Sequence, residues 1–307
     1  LCIYLFLYPL SLYILGKSKL EDGISFKDSM MIGSTEYFFN GITPFSSGGQ
    51  PFQVYAYSQI GVKLYRSTGI ILINFVASQL SIVILCLLSL FYYEKLTMDV
   101  VYLKVMIIVG LVMNVFILTF FTVLGVSKTI RKWIIRFVNW LFHLKIFKGK
   151  LDKAIVSFEN YCDGAQKTFK ALITQKLKFF LCVLFKLLAF IVFYTIPFFI
   201  LKSLSIEVVA SDLALIIAMT TFSIAMSCYI PTPGAAGGIE FAFQSLFVTI
   251  LPQITQSVAV SGVLLWRLIT YYLVLVFSLI IYIIFEANVQ KKNKKKIKIE
   301  EERLENA

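Results

Sequence analysis

The sequence predicts an all-α integral membrane protein with about six spanning helices and two broken or re-entrant helical hairpins. Hydrophobic residues make up 59% of the 307 residues and charged residues only 15%, whereas about a quarter of residues are charged in soluble domains. The mean hydropathy is +0.83. Five apolar stretches are long enough to cross a bilayer: 67–92, 100–125, 179–201, 211–230 and 258–285.

A sixth apolar stretch, 1–15, is shorter than a membrane span and begins with Leu rather than Met. We expect it to be the remnant of a longer segment whose upstream part is missing from this sequence. The apolar region of a signal peptide is the alternative interpretation.

Positive charge is concentrated in two places. The segment 126–178 holds twelve basic and three acidic residues, and the tail 291–307 begins with KKNKKKIK before it turns acidic. Because basic connections tend to remain in the cytoplasm, we expect both to be cytoplasmic and 1–290 to form one polytopic membrane domain. The stretch 130–148 is typical of an amphipathic helix in the headgroup layer, and 153–175 is also helical in pattern. We attribute this charge to topology and anionic lipid rather than to nucleic acid.

The number of membrane crossings leaves the topology of one segment undecided. An even number of crossings must connect 126–178 to the tail, and the stretches 179–201 and 258–285 supply two. The segment 211–251 is then either a re-entrant hairpin that enters from outside or one full span followed by a short broken one. In the first half, short helices at 29–42 and 51–60 flank a break and would enter from the cytoplasmic side. Together these give the hypothesis of an inverted-topology repeat.

The first break reads TPFSSGGQP at 43–51. Non-helical backbone survives in a bilayer only where it is buried in protein or lines a polar cavity. We expect Gly48 and Gly49 to adopt backbone angles closed to other residues. Pro51 suits the first position of the next helix, whose free N–H groups would bind an anion. The polar side chains at this break are candidates for substrate binding: Glu36, Asn40, Ser46, Ser47, Gln50 and Gln53.

The second break reads PTPGAAGGIE at 231–240. Pro231 and Pro233 are expected to end the preceding helix, and glycines to form the turn. Glu240 falls in the first turn of the next helix, where the helix dipole favours a carboxylate. It is either a structural residue of that helix start or a counter-charge for an amine or a proton. The other candidate binding residues of this break are Thr232, Gly234, Gly237 and Gly238.

Two basic residues lie inside apolar stretches. Arg267 is near mid-membrane, with Tyr271 one turn further along, and an arginine at that depth must find a partner. It would pair with Glu240 or Glu36, or bind a lipid phosphate. Lys186 lies about two turns from the cytoplasmic end of its stretch, so we expect it to extend its ammonium group to the headgroups.

The sequence predicts no catalytic residue, metal site or cofactor. His143 is its only histidine, and its five cysteines show no paired spacing. It contains no G-x-x-x-x-G-K-[ST] motif, so no ATP-driven step is predicted.

Three motifs together resemble a known family. They are N-x-x-x-P-F-x-x-G-G-x-P-x-Q from Asn40 to Gln53, P-T-P-G-x-x-G-x-x-E from Pro231 to Glu240, and W-R-L-x-T-Y-Y from Trp266 to Tyr272. The pattern is similar to the flippase-like transmembrane region of lysylphosphatidylglycerol synthases, the multiple peptide resistance factors of bacteria. The resemblance runs through nearly the whole chain and implies a multi-pass protein of the bacterial plasma membrane.

The resemblance implies a flippase-like protein that binds and translocates phospholipid, either anionic or aminoacylated phosphatidylglycerol. Full-length members also carry a cytoplasmic domain that transfers lysine from tRNA to phosphatidylglycerol, and resistance to cationic peptides depends on the product. The alternative is therefore a phosphatidylglycerol lysyltransferase-type enzyme or its membrane subunit. No residues of such a catalytic domain are recognised here, which leaves enzymatic activity open. The partners implied are membrane phospholipids, a separate synthase or a second copy of the chain, and lysyl-tRNA only for the enzyme. A membrane scaffold that recruits a partner through 126–178 is a third hypothesis.

Overall fold

The computed structural model describes residues 1–17, 24–97, 100–143, 151–227 and 230–305, and every regular element in these ranges is helical. The predicted all-α membrane protein is confirmed. Five helical segments are long and apolar enough to span a bilayer: Leu64–Thr97, Val101–Val126, Lys176–Ser203, Ala210–Ser227 and Gln256–Lys295. The predicted apolar stretch at the N-terminus forms a shorter helix. How many helices cross the membrane stays a prediction.

The first half contains a helical hairpin between longer helices. Its helices are α1 (Cys2–Gly16), α2 (Phe26–Ile42), α3 (Gly49–Gln59), α4 (Leu64–Ser89), α5 (Tyr93–Thr97) and α6 (Val101–Val126). Ser25 starts α2, because its Oγ accepts a hydrogen bond of 3.0 Å from the backbone N–H of Asp28. A short 3₁₀ helix, Pro44–Ser46, separates α2 from α3.

The basic middle segment forms α7 (Lys128–His143) and α8 (Leu151–Ile173). Within α7, the aromatic side chains Trp133, Phe137 and Trp140 are exposed. This agrees with the predicted amphipathic helix, although residues 144–150 of the predicted stretch lie outside the described ranges.

Charged and polar contacts hold this segment together. Arg131 of α7 pairs with Asp163 of α8, and Lys167 contacts the other oxygen of Asp163 at 2.6 Å. Hydrogen bonds from Lys167 and Arg131 hold the pKa of Asp163 below its usual range. The side chain of Gln166 donates to the backbone carbonyls of Leu124 and Ser127, each at 2.9 Å, and so ties α8 to the end of α6.

The second half has a hairpin of the same kind. Its helices are α9 (Lys176–Tyr194), α10 (Ile196–Ser203), α11 (Leu213–Ser227), α12 (Gly238–Ile250), α13 (Gln256–Arg267) and α14 (Leu273–Glu305). The 3₁₀ helix Pro233–Ala235 separates α11 from α12, and the π-helical segment Leu268–Tyr272 joins α13 to α14. Cys228 lies outside the described residues, and the cysteines that are described are not disulfide-bonded.

Both hairpins return to the end from which they start. The side chain of Gln53 in α3 reaches back to the backbone carbonyl of Ile32 in α2, at 3.4 Å. After α12, the side chain of Gln253 donates to the backbone carbonyl of Glu207, which precedes α11, at 3.3 Å. The two ends of the segment 211–251 therefore lie close together. Whether the segment is re-entrant or contains one full span stays a prediction.

The open ends of the two hairpins lie at opposite ends of the bundle. Gln253 lies just before the start of α13, whereas Asp28 in the first turn of α2 is 3.8 Å from Lys292 near the end of α14. The helical segment Gln256–Lys295 is continuous, so about 50 Å separates these two points along its axis. This opposite entry is the arrangement that the inverted-repeat hypothesis predicts.

Candidate functional site

The unusual backbone angles at the tip of the first hairpin occur at other residues than the glycines at which the sequence predicts them. Phe45 and Ser46, with φ of 55° and 50°, are the residues in the left-handed region. Gly48 has φ of −79° and Gly49 is the first residue of α3 without a positive φ, so the expectation that they supply unusual backbone angles is wrong for both. Both glycines are needed for close approach instead. A methyl group on Gly49 would lie 2.6 Å from Asn40 Oδ1, and one on Gly48 would lie 2.8 Å from the Phe39 carbonyl oxygen.

Side chains of the same hairpin occupy the backbone N–H groups at the start of α3. Gly48 N–H donates to Thr43 Oγ1 at 2.9 Å, and Gly49 N–H donates to Asn40 Oδ1 at 2.8 Å. Pro51 is the third residue of α3 rather than the first, because the helix begins at Gly49. The predicted anion site at this terminus therefore has two of its donors already satisfied.

Glu36 is the centre of the polar cluster behind this tip. It is 4% exposed, and both of its oxygens accept hydrogen bonds. Oε1 accepts from Tyr8 at 3.2 Å, from Gln50 at 3.1 Å and from Asn40 at 3.5 Å, and Oε2 accepts from Gln53 at 3.1 Å. Four donors compensate the burial of a negative charge, which would otherwise be costly. Sequence reasoning found every member except Tyr8, which lies 28 residues away in α1.

The serines of the first break lie outside this cluster. Ser47 is exposed and its hydroxyl donates to the carbonyl of Pro44 within the turn, at 2.9 Å. Ser46 is partly buried, and its backbone N–H donates to Thr43 O at 3.3 Å. The structure therefore places both serines in the turn itself and brings neither into contact with Glu36.

The second tip begins with the same backbone conformation as the first, at residues 232–235 and 43–46. Thr232 has φ, ψ of −110°, 147° and Thr43 has −107°, 147°. Gly234 and Ala235 then adopt φ of 59° and 53°, close to the values at Phe45 and Ser46. Residues 43–49 and 232–238 also share the pattern T-P-x-x-x-G-G. This internal repeat was visible in the sequence, although our sequence analysis did not align it.

Two glycines of the second tip, Gly237 and Gly238, differ in what restricts a side chain at their position. Gly237, with φ of 88°, is in open space, so its backbone angle is what requires glycine. A methyl group on Gly238 would lie 1.7 Å from Ile230 Cδ1, so the end of the Ile230 side chain would have to move. Thr232 closes the turn, since its hydroxyl donates to the carbonyl of Ala236 at 2.8 Å.

Glu240 and Arg267 form an ion pair beside the second tip. Arg267 Nε donates to Glu240 Oε1 at 2.6 Å, and the backbone N–H of Gly237 donates to Glu240 Oε2 at 2.7 Å. Glu240 is therefore both the helix-start residue and the partner of the buried arginine, and Arg267 pairs with Glu240 rather than with Glu36. The Arg267 side chain is 8% exposed, and its guanidinium lies 5.1 Å from the ring centre of Tyr271. Within the described part of the chain, its two terminal nitrogens make no hydrogen bond.

Tyr271 connects the two hairpins. Its hydroxyl donates to the backbone carbonyl of Gly41 at the end of α2, at 3.0 Å. Its ring packs on the second tip so closely that a methyl group on Gly234 would lie 2.3 Å from Tyr271 Cε2. The 3₁₀ helices Pro44–Ser46 and Pro233–Ala235 also pack against each other. The two tips therefore meet, as expected for breaks that share one site.

The meeting point lies part-way along the helical segment Gln256–Lys295, which is long and apolar enough to span a bilayer. Arg267 is eleven residues after Gln256, which is about 17 Å along the helix axis, and the hydrocarbon core is about 30 Å thick. The π-helical segment that carries Tyr271 begins at the next residue, and such segments are frequent at functional sites. No group of three His, Cys, Asp or Glu side chains that could hold a metal occurs among the described residues.

Residues 1–278 match the family described as lysylphosphatidylglycerol synthase TM region. The chain belongs to this family. The match covers both hairpins, the basic middle segment and α13, and so includes every candidate site residue. It confirms the resemblance found from the three motifs and shows a membrane protein of this family. A comparison with curated proteins and one with solved structures each return no match.

Proposed function

We propose that this protein binds phospholipid headgroups between the two hairpin tips and moves them across the membrane, as a flippase-like translocase. The observation that carries the proposal is the contact between two polar tips, on hairpins whose open ends lie at opposite ends of the bundle. A path for a headgroup needs polar groups that continue from one face of the bilayer to the other, and this arrangement provides them.

The charges at the tips suit an anionic or aminoacylated phosphatidylglycerol. Arg267 uses only Nε for Glu240, so its terminal nitrogens are free to bind the lipid phosphate in a two-pronged contact. Glu36 and Glu240 supply negative charge for an amino group on the headgroup. The acyl chains would remain in the surrounding lipid while the headgroup passes.

Passage requires the polar groups to exchange partners, because they contact one another in this conformation. A phosphate that approaches Arg267 competes with Glu240, and an ammonium group competes with the amide donors of Glu36. Such an exchange keeps every buried charge compensated, which lowers the barrier for a polar group in the membrane interior. We place the segment 126–178 and the tail on the cytoplasmic side of a bacterial plasma membrane.

Purified protein in liposomes tests this proposal. Fluorescent phosphatidylglycerol in one leaflet should reach the other leaflet faster with wild-type protein than in empty liposomes. Arg267→Gln should slow this transfer at least tenfold, because it removes the phosphate contact. Arg136→Gln removes an exposed arginine of α7 and is the matched control. Wild-type protein that moves no lipid would refute the proposal.

The alternative function is a role in the synthesis of lysyl-lipid. It is supported by the family description, which names a lysylphosphatidylglycerol synthase. Mass spectrometry of membrane lipids from a deletion strain separates the two functions. Loss of a modified lipid would support synthesis by this protein or with a separate synthase, whereas a changed distribution between leaflets would support transport. A scaffold role predicts that both lipid measurements stay unchanged with Arg267→Gln.

A further inference from the structure

Lys186 does not extend to the headgroups as the sequence predicts. It is the eleventh residue of α9 and is fully buried, with 0% of its surface exposed. Its ammonium nitrogen lies 3.0 Å from the ring centre of Tyr8 in α1. Among the described residues, no carboxylate oxygen lies within 4.0 Å of it. The side chain therefore points into the protein interior, toward the cluster around Glu36.

The burial of Lys186 makes its positive charge costly. An ammonium group is strongly hydrated in water, so its burial is costly unless hydrogen bonds and an opposite charge replace the water. Here an aromatic ring and the nearby carboxylate provide the compensation. Burial acts against the charged form of Lys186, and the ring of Tyr8 acts in its favour.

Few other groups around Lys186 can change charge. The segment 67–85 of α4 and the whole of α11, which both pack on α9, contain no titratable side chain. The helices α8 and α10 adjoin the two ends of α9. The titratable groups that face Lys186 come from α1, α2 and α9 itself: Tyr4, Tyr8, Glu36, Tyr37 and Cys182. Only Glu36 among them is ionised in neutral solution by its ordinary chemistry.

Tyr8 links Lys186 to the first tip. Its ring contacts the lysine nitrogen, and its hydroxyl donates to Glu36 Oε1 at 3.2 Å. The same oxygen accepts from Gln50, which is partly exposed at the start of α3. A change in the charge on Lys186 therefore changes the electrostatic potential at Glu36 and at the start of α3, where a headgroup would bind.

We propose that Lys186 binds and releases one proton in each transport cycle, and that this couples headgroup movement to the proton gradient. The amine takes a proton from the solution on one side and releases it to the other, with no other bond made or broken. Proton binding and headgroup binding are then linked, and each changes the affinity for the other by the same factor. This inference rests on the proposed transport function and adds its driving ion.

Liposomes with a pH difference across the membrane test the coupling. If one proton moves with each lipid, a difference of one pH unit shifts the ratio of fluorescent phosphatidylglycerol between the leaflets about tenfold. In Lys186→Met the ratio should stay about one. Lys202→Met is the matched control, because Lys202 also lies over an aromatic ring, Phe198 at 4.9 Å, but is exposed. Its ratio should match the wild type.

Two further variants separate a proton role from a merely structural one. Lys186→Arg keeps a positive charge but cannot release a proton, so its ratio should also stay about one. Tyr8→Phe keeps the ring under the lysine and removes the hydroxyl, so it tests the link even if Lys186→Met fails to fold. Its ratio should fall below the wild-type value.

The outcomes distinguish this inference from the proposed function. Wild-type protein that equilibrates lipid without any response to the pH difference overturns the coupling and leaves the transport proposal intact. So does a wild-type ratio in Lys186→Arg or in Lys186→Met. Wild-type protein that moves no lipid at all overturns both.

Discussion

The ion pair between Arg267 and Glu240 should stabilise the fold through mutual compensation, and a double-mutant cycle measures this. Arg267→Met leaves Glu240 with only the N–H of Gly237, and Glu240→Gln leaves a guanidinium that is 8% exposed without its counter-charge. Breaking a fully buried pair costs about 3–5 kcal/mol. Because the Glu240 side chain is 27% exposed, we expect about 2–3 kcal/mol for each single variant.

The double variant should cost less than the sum of the two single variants. It contains no uncompensated charge, so we expect a coupling energy of about 2 kcal/mol. In detergent micelles each single variant should lower the thermal midpoint by about 4–8 °C. The fluorescence of Trp266, which is next to Arg267 and buried, reports the transition. Arg136→Met is the control for loss of an exposed arginine. Additive losses in the double variant would refute the argument that these charges depend on each other.

Three further predictions test the tip, the middle segment and the topology. Gly234→Ala should lower the thermal midpoint far more than Gly237→Ala, because both have positive φ but only the first meets a ring; equal losses would contradict the tight contact. The low pKa of Asp163 means that its contribution to stability is present above about pH 4 and is lost as the pH falls through its folded-state pKa. The protection factors of amides in α7 and α8, which are corrected for the intrinsic exchange rate at each pH, should therefore fall at pH 3 in wild-type protein and change less in Asp163→Asn. In a cysteine-free background, Lys27→Cys and Ser257→Cys should react with an impermeant thiol reagent from opposite sides, and labelling of both from one side would contradict the opposite entry of the hairpins.

The hydropathy of the sequence and the positions of its Pro and Gly residues predicted most of the architecture. The five long apolar stretches correspond to the helical segments found, since length and composition are local properties of the chain. The two breaks were found because Pro and Gly interrupt apolar sequence. The need to compensate a buried charge predicted a partner for Arg267, but it left Glu240, Glu36 and a lipid phosphate as alternatives, of which the structure shows Glu240.

Contacts across the bundle were not readable from the sequence. Nothing in the sequence distinguishes Tyr8 from the other aromatic residues of the N-terminal stretch. Its hydroxyl reaches Glu36 only because α1 packs on α2. Lys186 was expected at the headgroups, since length alone allows it to reach them, but the ring of Tyr8 holds it inside. The left-handed angles were expected at glycine and occur at Phe45 and Ser46 as well, because the surrounding hairpin determines them.

The π-helical segment Leu268–Tyr272 contains one residue more than an α-helical path would need, and this surplus sets the rotation of everything after it. Each residue of an α-helix turns the chain by about 100°. Deleting a single residue there would restore a regular helix and swing the Tyr271 hydroxyl away from the carbonyl of Gly41. The helix α14 would then present a different face to α2, and its basic end would no longer face Asp28. The number of residues in this stretch therefore sets the rotation of α14, both at the contact between the two tips and at the far end of the protein.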